Sequence, residues 1–244
     1  IRPWFSLELV SIGGEIHFFL WCLQKYKDGV AAQVYAQYPS VEVFEVPDYT
    51  TSVVHDLDAM GMWGTYFKLA EADPYPIKTY LDYEMDEDEG KEEDEKIDPI
   101  TPMLEYLGSL KPGEQCWIQI LIQAHRKEKT RDGRIIPRDD WKKDVEKEKR
   151  KIRNEMRETT TTPDGREIQS LRPPTKAEAD LLESLDRSLD RWPFNCAMRG
   201  IYLAESDAFD PTHIGGLIGS VRQFGSNSRN SIKLGWFTDP DFPW

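Results

Sequence analysis

Apolar residues recur with period two through residues 4–12 (WFSLELVSI) and 15–23 (EIHFFLWCL), with Gly13 and Gly14 between the runs. Two such runs joined by a two-residue glycine turn predict a β-hairpin, because tight hairpin turns need positive φ. Asp28 then predicts an N-cap for a helix over 29–38, where Val30, Val34 and Gln37 or Tyr38 fall at helical spacing and Pro39 stops the element. Residues 41–46 (VEVFEV) alternate apolar with acidic side chains, the pattern of a half-buried strand. Residues 62–70 (MWGTYFKLA) predict another strand, with 77–81 as its extension.

Farther along, Asp98 and Pro99 predict the cap and first position of a helix over 100–110, whose apolar face is Met103, Leu104, Leu107 and Leu110. Lys111-Pro112-Gly113 turns the chain into 115–124 (QCWIQILIQA), apolar enough for a central strand. The order from Glu15 is therefore strand, helix, strand, strand, helix, strand. That order predicts an α+β, ferredoxin-like (split βαβ) antiparallel sheet.

Residues 126–191 interrupt the pattern. Charged helices are expected over 142–158 and 176–191, separated by a Thr-rich connection. The first carries Trp141, Val145, Ile152 and Met156 as a sparse apolar stripe, the second Leu181, Leu182, Leu185 and Leu189. Two narrow stripes can bury each other, which predicts an inserted, charged helical hairpin. Residues 194–204 return to strand, and Asp210 or Thr212 caps a helix running to Phe224. The organisation expected is a core over 1–125 with an acidic loop at 82–98, the hairpin over 126–192, and a strand–helix–strand completing the core over 193–244.

Charge changes the picture in two places. The net charge of −13 argues against a general nucleic-acid coat or an anionic-membrane binder. Yet residues 82–98 hold eleven acids against two lysines, and 126–157 hold fourteen bases against eight acids. The first reads as a solvated loop. The second offers Lys142, Lys143, Lys147, Lys149, Arg150, Lys151 and Arg153 as contacts for a partner or for phosphates, against the plainer reading of a solvated helix with internal ion pairs.

Signatures of chemistry are missing. There is no G-x-x-x-x-G-K-[ST] loop, no G-x-G-x-x-G after a strand and no G-x-S-x-G elbow. His17, His55, His125 and His213 lack a companion ligand at metal spacing. Gly215, Gly216 and Gly219 are expected to serve close packing. Cys22, Cys116 and Cys196 are far apart and each lies in an apolar run, which predicts buried thiols in a reducing compartment. No run approaches the roughly 20 apolar residues of a bilayer span. No catalytic residue, metal or cofactor is assigned. The chain begins at Ile1 without Met and ends on an aromatic run, so it reads as a module of a longer protein.

Four segments carry a resemblance: 3–21 (PWFSLELVSIGGEIHFFLW), 31–50 (AAQVYAQYPSVEVFEVPDYT), 98–122 (DPITPMLEYLGSLKPGEQCWIQILI) and 233–244 (KLGWFTDPDFPW). They resemble a family encoded in candidate-phyla-radiation bacteria and associated with type IV secretion-like, HerA/FtsK-type P-loop ATPases. The Q-Y-P-x-V-E and L-K-P-G-E-Q-x-W-I-Q stretches are similar to the non-motor N-terminal region of conjugative secretion ATPases, where a ferredoxin-like unit precedes the motor. The resemblance implies a non-catalytic accessory or assembly domain, cytoplasmic and near the inner face of a membrane reached through other segments. It implies a P-loop ATPase or secretion-channel component as partner, with self-association also open. The alternative from the residues is a nucleic-acid-binding module that uses the basic arm on DNA.

Overall fold

Two glycines at positive φ, Gly13 at 60° and Gly14 at 89°, close the expected hairpin between β1 (Trp4–Ile12) and β2 (Glu15–Cys22). The computed structural model describes residues 3–53, 56, 58–83, 98–125, 140–161 and 167–238. After the hairpin come α1 (Lys27–Gln37), β3 (Met60–Leu69), α2 (Thr101–Gly108) and β4 (Glu114–Ala124). Then follow α3 (Trp141–Glu155), β5 (Arg157–Thr161), β6 (Glu167–Leu171), α4 (Lys176–Leu189), β7 (Phe194–Glu205), α5 (Thr212–Arg222) and β8 (Ile232–Phe237). The class is α+β.

Six strands form one sheet in the order β2-β1-β4-β7-β3-β8, with every neighbouring pair antiparallel. β3 and β4 are both antiparallel to β7, so they are parallel to each other with β7 between them, and α2 connects them. By the same logic β7 and β8 are parallel across β3, and α5 connects them. The two crossovers therefore interleave, each spanning one strand of the other, and the β1–β2 hairpin extends the sheet beyond β4.

Both crossover helices lie on one sheet face. Met103 and Leu107 of α2 and Leu217 and Val221 of α5 pack on Leu9, Trp63, Phe67, Cys116, Ile118 and Tyr202. Gly216 lets α5 sit against the Tyr106 ring, which a Cβ there would strike, whereas Gly215 and Gly219 face open space and serve no close packing. On the other face a smaller cluster of Val10, Trp117 and Leu203 lies under Tyr49 and Val53.

Between β4 and β7, α3 and α4 pack by the two stripes read from the sequence. Val145, Ile152, Met156 and Leu185 form a buried cluster bordered by Trp141, Leu181, Leu182, Leu189 and Tyr75. Thr175 and Glu178 make a full capping box at the start of α4.

Several expectations are corrected. Residues 41–46 form no strand, and Val41, Val43, Phe44 and Val46 are exposed. Alternation says which side a strand would bury but supplies no neighbour for its backbone hydrogen bonds. The element order expected from Glu15 therefore fails at its second strand, because β3 follows α1 with no strand between them. Residues 77–81 are not a strand either: Lys78 N–H donates to the Phe224 carbonyl at 2.9 Å, and the chain then enters a 3-10 turn at Tyr80–Tyr83. The predicted helix 142–158 ends at Glu155, because β-branched threonines favour the β5–β6 ribbon that replaces the expected loop. Asp28 lies inside α1 and caps nothing. Asp98 accepts from Ile100 N–H at 2.9 Å just ahead of α2, which starts at Thr101. Neither Asp210 nor Thr212 is the cap of α5, which follows Pro211 and ends at Arg222; Asp210 accepts from Thr212 N–H at 2.9 Å just ahead of it. Of the cysteines, Cys116 is buried, but Cys22 is half-buried and Cys196 is exposed near the start of β7. Most of the acidic loop, His55, and the basic residues from Arg126 to Arg138 lie outside the described residues.

Candidate functional site

The sheet face opposite α2 and α5 carries the most organised polar chemistry. Strand register places Phe19 opposite Glu8, Glu8 opposite Gln119, Gln119 opposite Arg199 and Arg199 opposite Tyr66. Directly opposed residues point to the same side, so these five form one row across β2, β1, β4, β7 and β3. Gln119 is fully buried and binds the row together. Its amide N–H groups donate to Glu8 at 3.0 Å and to the Tyr49 hydroxyl at 2.6 Å, while its carbonyl accepts from Arg199 Nε. Ser6 and Tyr49 hydroxyls also donate to the Glu8 carboxylate. Glu8 is thus satisfied by neutral donors. Burial, reinforced by the neighbouring Glu8 carboxylate, holds the Tyr49 phenol protonated far above its ordinary range.

Residues 46–50 form a wall over this row and leave a cleft of about 290 Å³, whose lining includes Trp4, Phe19, Trp21, Tyr49, Gln119 and Arg199. Trp4 and Trp21 stack with centroids 4.2 Å apart, and Phe19 stacks on Tyr49 at 4.9 Å. The cleft is an aromatic slot with one guanidinium at its mouth. Beyond Arg199 the face is bare among the described residues. Tyr66 lies across β8 where a Cβ at Gly235 would collide with its ring, so the glycine sets where that ring rests.

On the helix side, the sheet is incompletely covered at the hairpin end. Leu7, Leu9, Phe18, Ile118, Met103 and Val221 are among the walls of an apolar groove of about 510 Å³. Phe18, on the edge strand β2, is 70% exposed.

A histidine and a carboxylate do converge elsewhere, at the start of α5. Glu114 is 2% exposed. It accepts from Tyr202 OH at 2.6 Å and from Lys111 N–H at 2.7 Å, with His213 Nε2 at 3.3 Å. Tyr106 OH donates to the His213 carbonyl at 2.8 Å. Both carboxylate oxygens are occupied by groups that tie β4, β7 and the 111–113 turn together, so the cluster acts as a buried polar clasp. Among the described residues no group of three or more His, Cys, Asp or Glu could hold a metal ion. No helix among them is long and apolar enough to cross a membrane.

The seven basic residues of the arm all lie on α3, but they are not equally free. Lys149 is 6% exposed and is paired with Asp186 of α4 and, at 3.3 Å, with Glu146. Lys151 bonds Glu148 at 2.7 Å, and Glu148 in turn accepts from Tyr75 OH at 2.9 Å. Lys143 lies 3.8 Å from Asp140, Lys142 sits over the Trp141 ring, and Arg150 Nε donates to the Glu146 carbonyl. Lys147 and Arg153 are exposed. The structure thus gathers the seven on one helix and draws Lys143, Lys149 and Lys151 into intramolecular ion pairs.

The open-face row was missed because its members are scattered through the sequence. One signal for it exists: Gln115, Gln119 and Gln123 sit at alternate-face positions of an otherwise apolar strand and mark one side as polar. Comparison with protein-family models, curated proteins and solved structures finds no match for the chain.

Proposed function

We propose that this chain is a non-catalytic assembly domain of a type IV secretion-like or DNA-transfer ATPase system, docking a protein partner at the hairpin end of its sheet. The observation that carries the docking reading is the apolar groove beside β2, with Phe18 standing out of it. A large apolar side chain that exposed, on an edge strand with unpaired backbone groups, is suited to a partner that adds a strand or lays an apolar face into the groove. The machine itself is drawn from the resemblance of segments 3–21, 31–50, 98–122 and 233–244. The interleaved crossovers β3-α2-β4 and β7-α5-β8 follow the path of a ferredoxin-like unit, with α3, the β5–β6 ribbon and α4 as a charged helical insertion between its halves. On this reading the domain works on the cytoplasmic side, near a membrane reached through other segments.

The test is co-purification of the full-length protein with a type IV secretion-like P-loop ATPase from the same organism, for wild type and Phe18→Glu. Association with wild type and its loss in the variant is the expected result. Failure of the wild-type proteins to associate, with the protein remaining monomeric, would overturn the proposal.

A further inference from the structure

The uncovered half of the open sheet face differs in charge from the rest of the molecule. Its rows present Leu121 and Gln123 from β4, Asn195, Ala197 and Arg199 from β7, Tyr66 and Lys68 from β3, and Lys233 from β8, with Trp236 in the register shift of β8 opposite Tyr66. Three of these are cations and none is an acid, although the chain has 44 acids against 31 bases. The acids of the same face lie to either side: Glu8 is taken up by Ser6, Tyr49 and Gln119, and Glu205, itself exposed, stands at the far end of the face opposite Met60. Among the described residues, Arg199, Lys68 and Lys233 have no carboxylate partner. Lys68 and Lys233 are directly opposed across β3 and β8, a pairing of like charges that costs free energy unless an anion relieves it. Lys233 Nζ donates to the Ala70 carbonyl at 3.1 Å, which leaves its remaining protons for a ligand.

Aromatic rings accompany these cations. Tyr66 is 48% exposed and Trp236 is 61% exposed. Tyr66 is the register partner of Arg199, and its ring rests over Gly235, next to Trp236. Exposed rings with interspersed cations and no acids fit a ligand with flat π-faces on an anionic backbone. An acidic peptide would use the cations but leave the rings without a role. A duplex would offer phosphates but no unstacked bases.

We infer that this half-face binds single-stranded nucleic acid, with bases stacking on Tyr66 and Trp236 and phosphates meeting Arg199, Lys68 and Lys233. The site is separate from the groove at Phe18 and from the α3 arm. Three phosphate contacts on a single strand give a log–log salt slope of roughly −2. Loss of one stacking ring weakens binding by roughly 5- to 150-fold.

The experiment titrates the full chain with a fluorescein-labelled oligothymidylate of about 15 nucleotides, in salt from about 20 mM upward. Tyr66→Ala and Trp236→Ala are expected to weaken binding within that range and leave the salt slope unchanged. Lys68→Glu with Lys233→Glu is expected to flatten the slope to less than half. Trp236 is a surface side chain on an edge strand, so its variant keeps the test valid if Tyr66→Ala fails to fold. Absence of binding at the lowest salt would overturn the inference. So would a preference for duplex, equal binding of polyglutamate with the same variant losses, or binding lost only on reversing Lys142, Lys143 and Lys147. None of these outcomes bears on association with the ATPase, so the two readings fail separately.

Discussion

The hydroxyl of Tyr202 donates a 2.6 Å hydrogen bond to the buried carboxylate of Glu114, joining β7 to the first residue of β4. The same oxygen accepts from Asp210 N–H at 3.0 Å, so it also positions the loop that enters α5. Removing the hydroxyl leaves a buried carboxylate and a backbone N–H short of a partner, and hydrogen bonds to charged groups contribute about 1.5–3 kcal/mol each. Tyr202→Phe is therefore expected to lower the unfolding free energy by about 2–3 kcal/mol. Urea melts check this; a loss below about 0.5 kcal/mol, the level of an ordinary surface change, would show the clasp to be incidental.

The hairpin turn yields a contrast between adjacent glycines. Gly13 lies at φ 60°, and a Cβ there would meet nothing closer than 3.5 Å. Gly14 lies at φ 89°, and its Cβ would meet the Leu110 carbonyl oxygen at 2.5 Å. Gly13→Asn keeps a conformation that asparagine tolerates, so a cost under about 1 kcal/mol is expected. Gly14→Ala adds a backbone collision to an unfavourable φ and should cost roughly 2 kcal/mol or more. Thermal melts of the two variants give the comparison, and equal losses would refute the assigned turn geometry.

The two sides of legibility separate on physical grounds. The hairpin at Gly13-Gly14 and the matched stripes Val145/Ile152 and Leu181/Leu185 were readable, because each is a local period or a turn chemistry set by a few neighbouring residues. The strand expected at 41–46 was not real, since its pattern needed a partner that only the assembled sheet could supply. Glu8, Gln119, Arg199 and Tyr66 became a row only through pairing among β1, β4, β7 and β3, over separations of 50 positions and more. The sequence offered the basic arm either as a contact surface or as an ion-paired helix, because it shows charges but not that Asp186 reaches Lys149 from another helix.

That last contact gives its own prediction. Lys149 is buried between α3 and α4 with Asp186 and Glu146 around its ammonium, whereas Lys147 on the same helix is exposed. Lys149→Glu would set a third carboxylate beside the half-exposed Asp186 and Glu146, and losing the charged hydrogen bonds of the ammonium costs about 1.5–3 kcal/mol. Lys147→Glu should stay within about 0.5 kcal/mol of wild type. Chemical denaturation distinguishes the two, and similar effects would mean that Lys149 is not held between the helices.

The α4 capping box has a pH signature. The Arg172 guanidinium, followed by the Thr175 N–H and hydroxyl, holds the Glu178 carboxyl down at about 2 from an ordinary 4.5. A carboxylate depressed by folding stabilises the fold fully above its unfolded value, and that contribution fades as pH falls toward the folded value. The start of α4 should therefore loosen between roughly pH 4.5 and 2. The Thr175 and Glu178 amide resonances report the transition. In Glu178→Gln they should show no titration over that window, and a wild-type midpoint near the ordinary value would remove Arg172 as its cause.

The three thiols should be distinguishable by reactivity in the native state. Thiolate, not thiol, attacks an alkylating reagent, so both access and acidity set the rate. Cys196 is exposed near the start of β7, and partial burial raises its thiol only moderately. Cys116 is completely enclosed, and burial pushes it up to about 12, with the Tyr106 hydroxyl 3.8 Å from its sulfur. At about pH 8 Cys196 therefore has both the access and the larger thiolate fraction. Iodoacetamide followed by peptide mass spectrometry should label Cys196 first and Cys22, which is half-buried, more slowly. Cys116 should remain unlabelled until denaturant opens the core. Labelling of Cys116 at the rate of Cys196 in the native protein would mean that α2 and α5 do not seal the sheet as described.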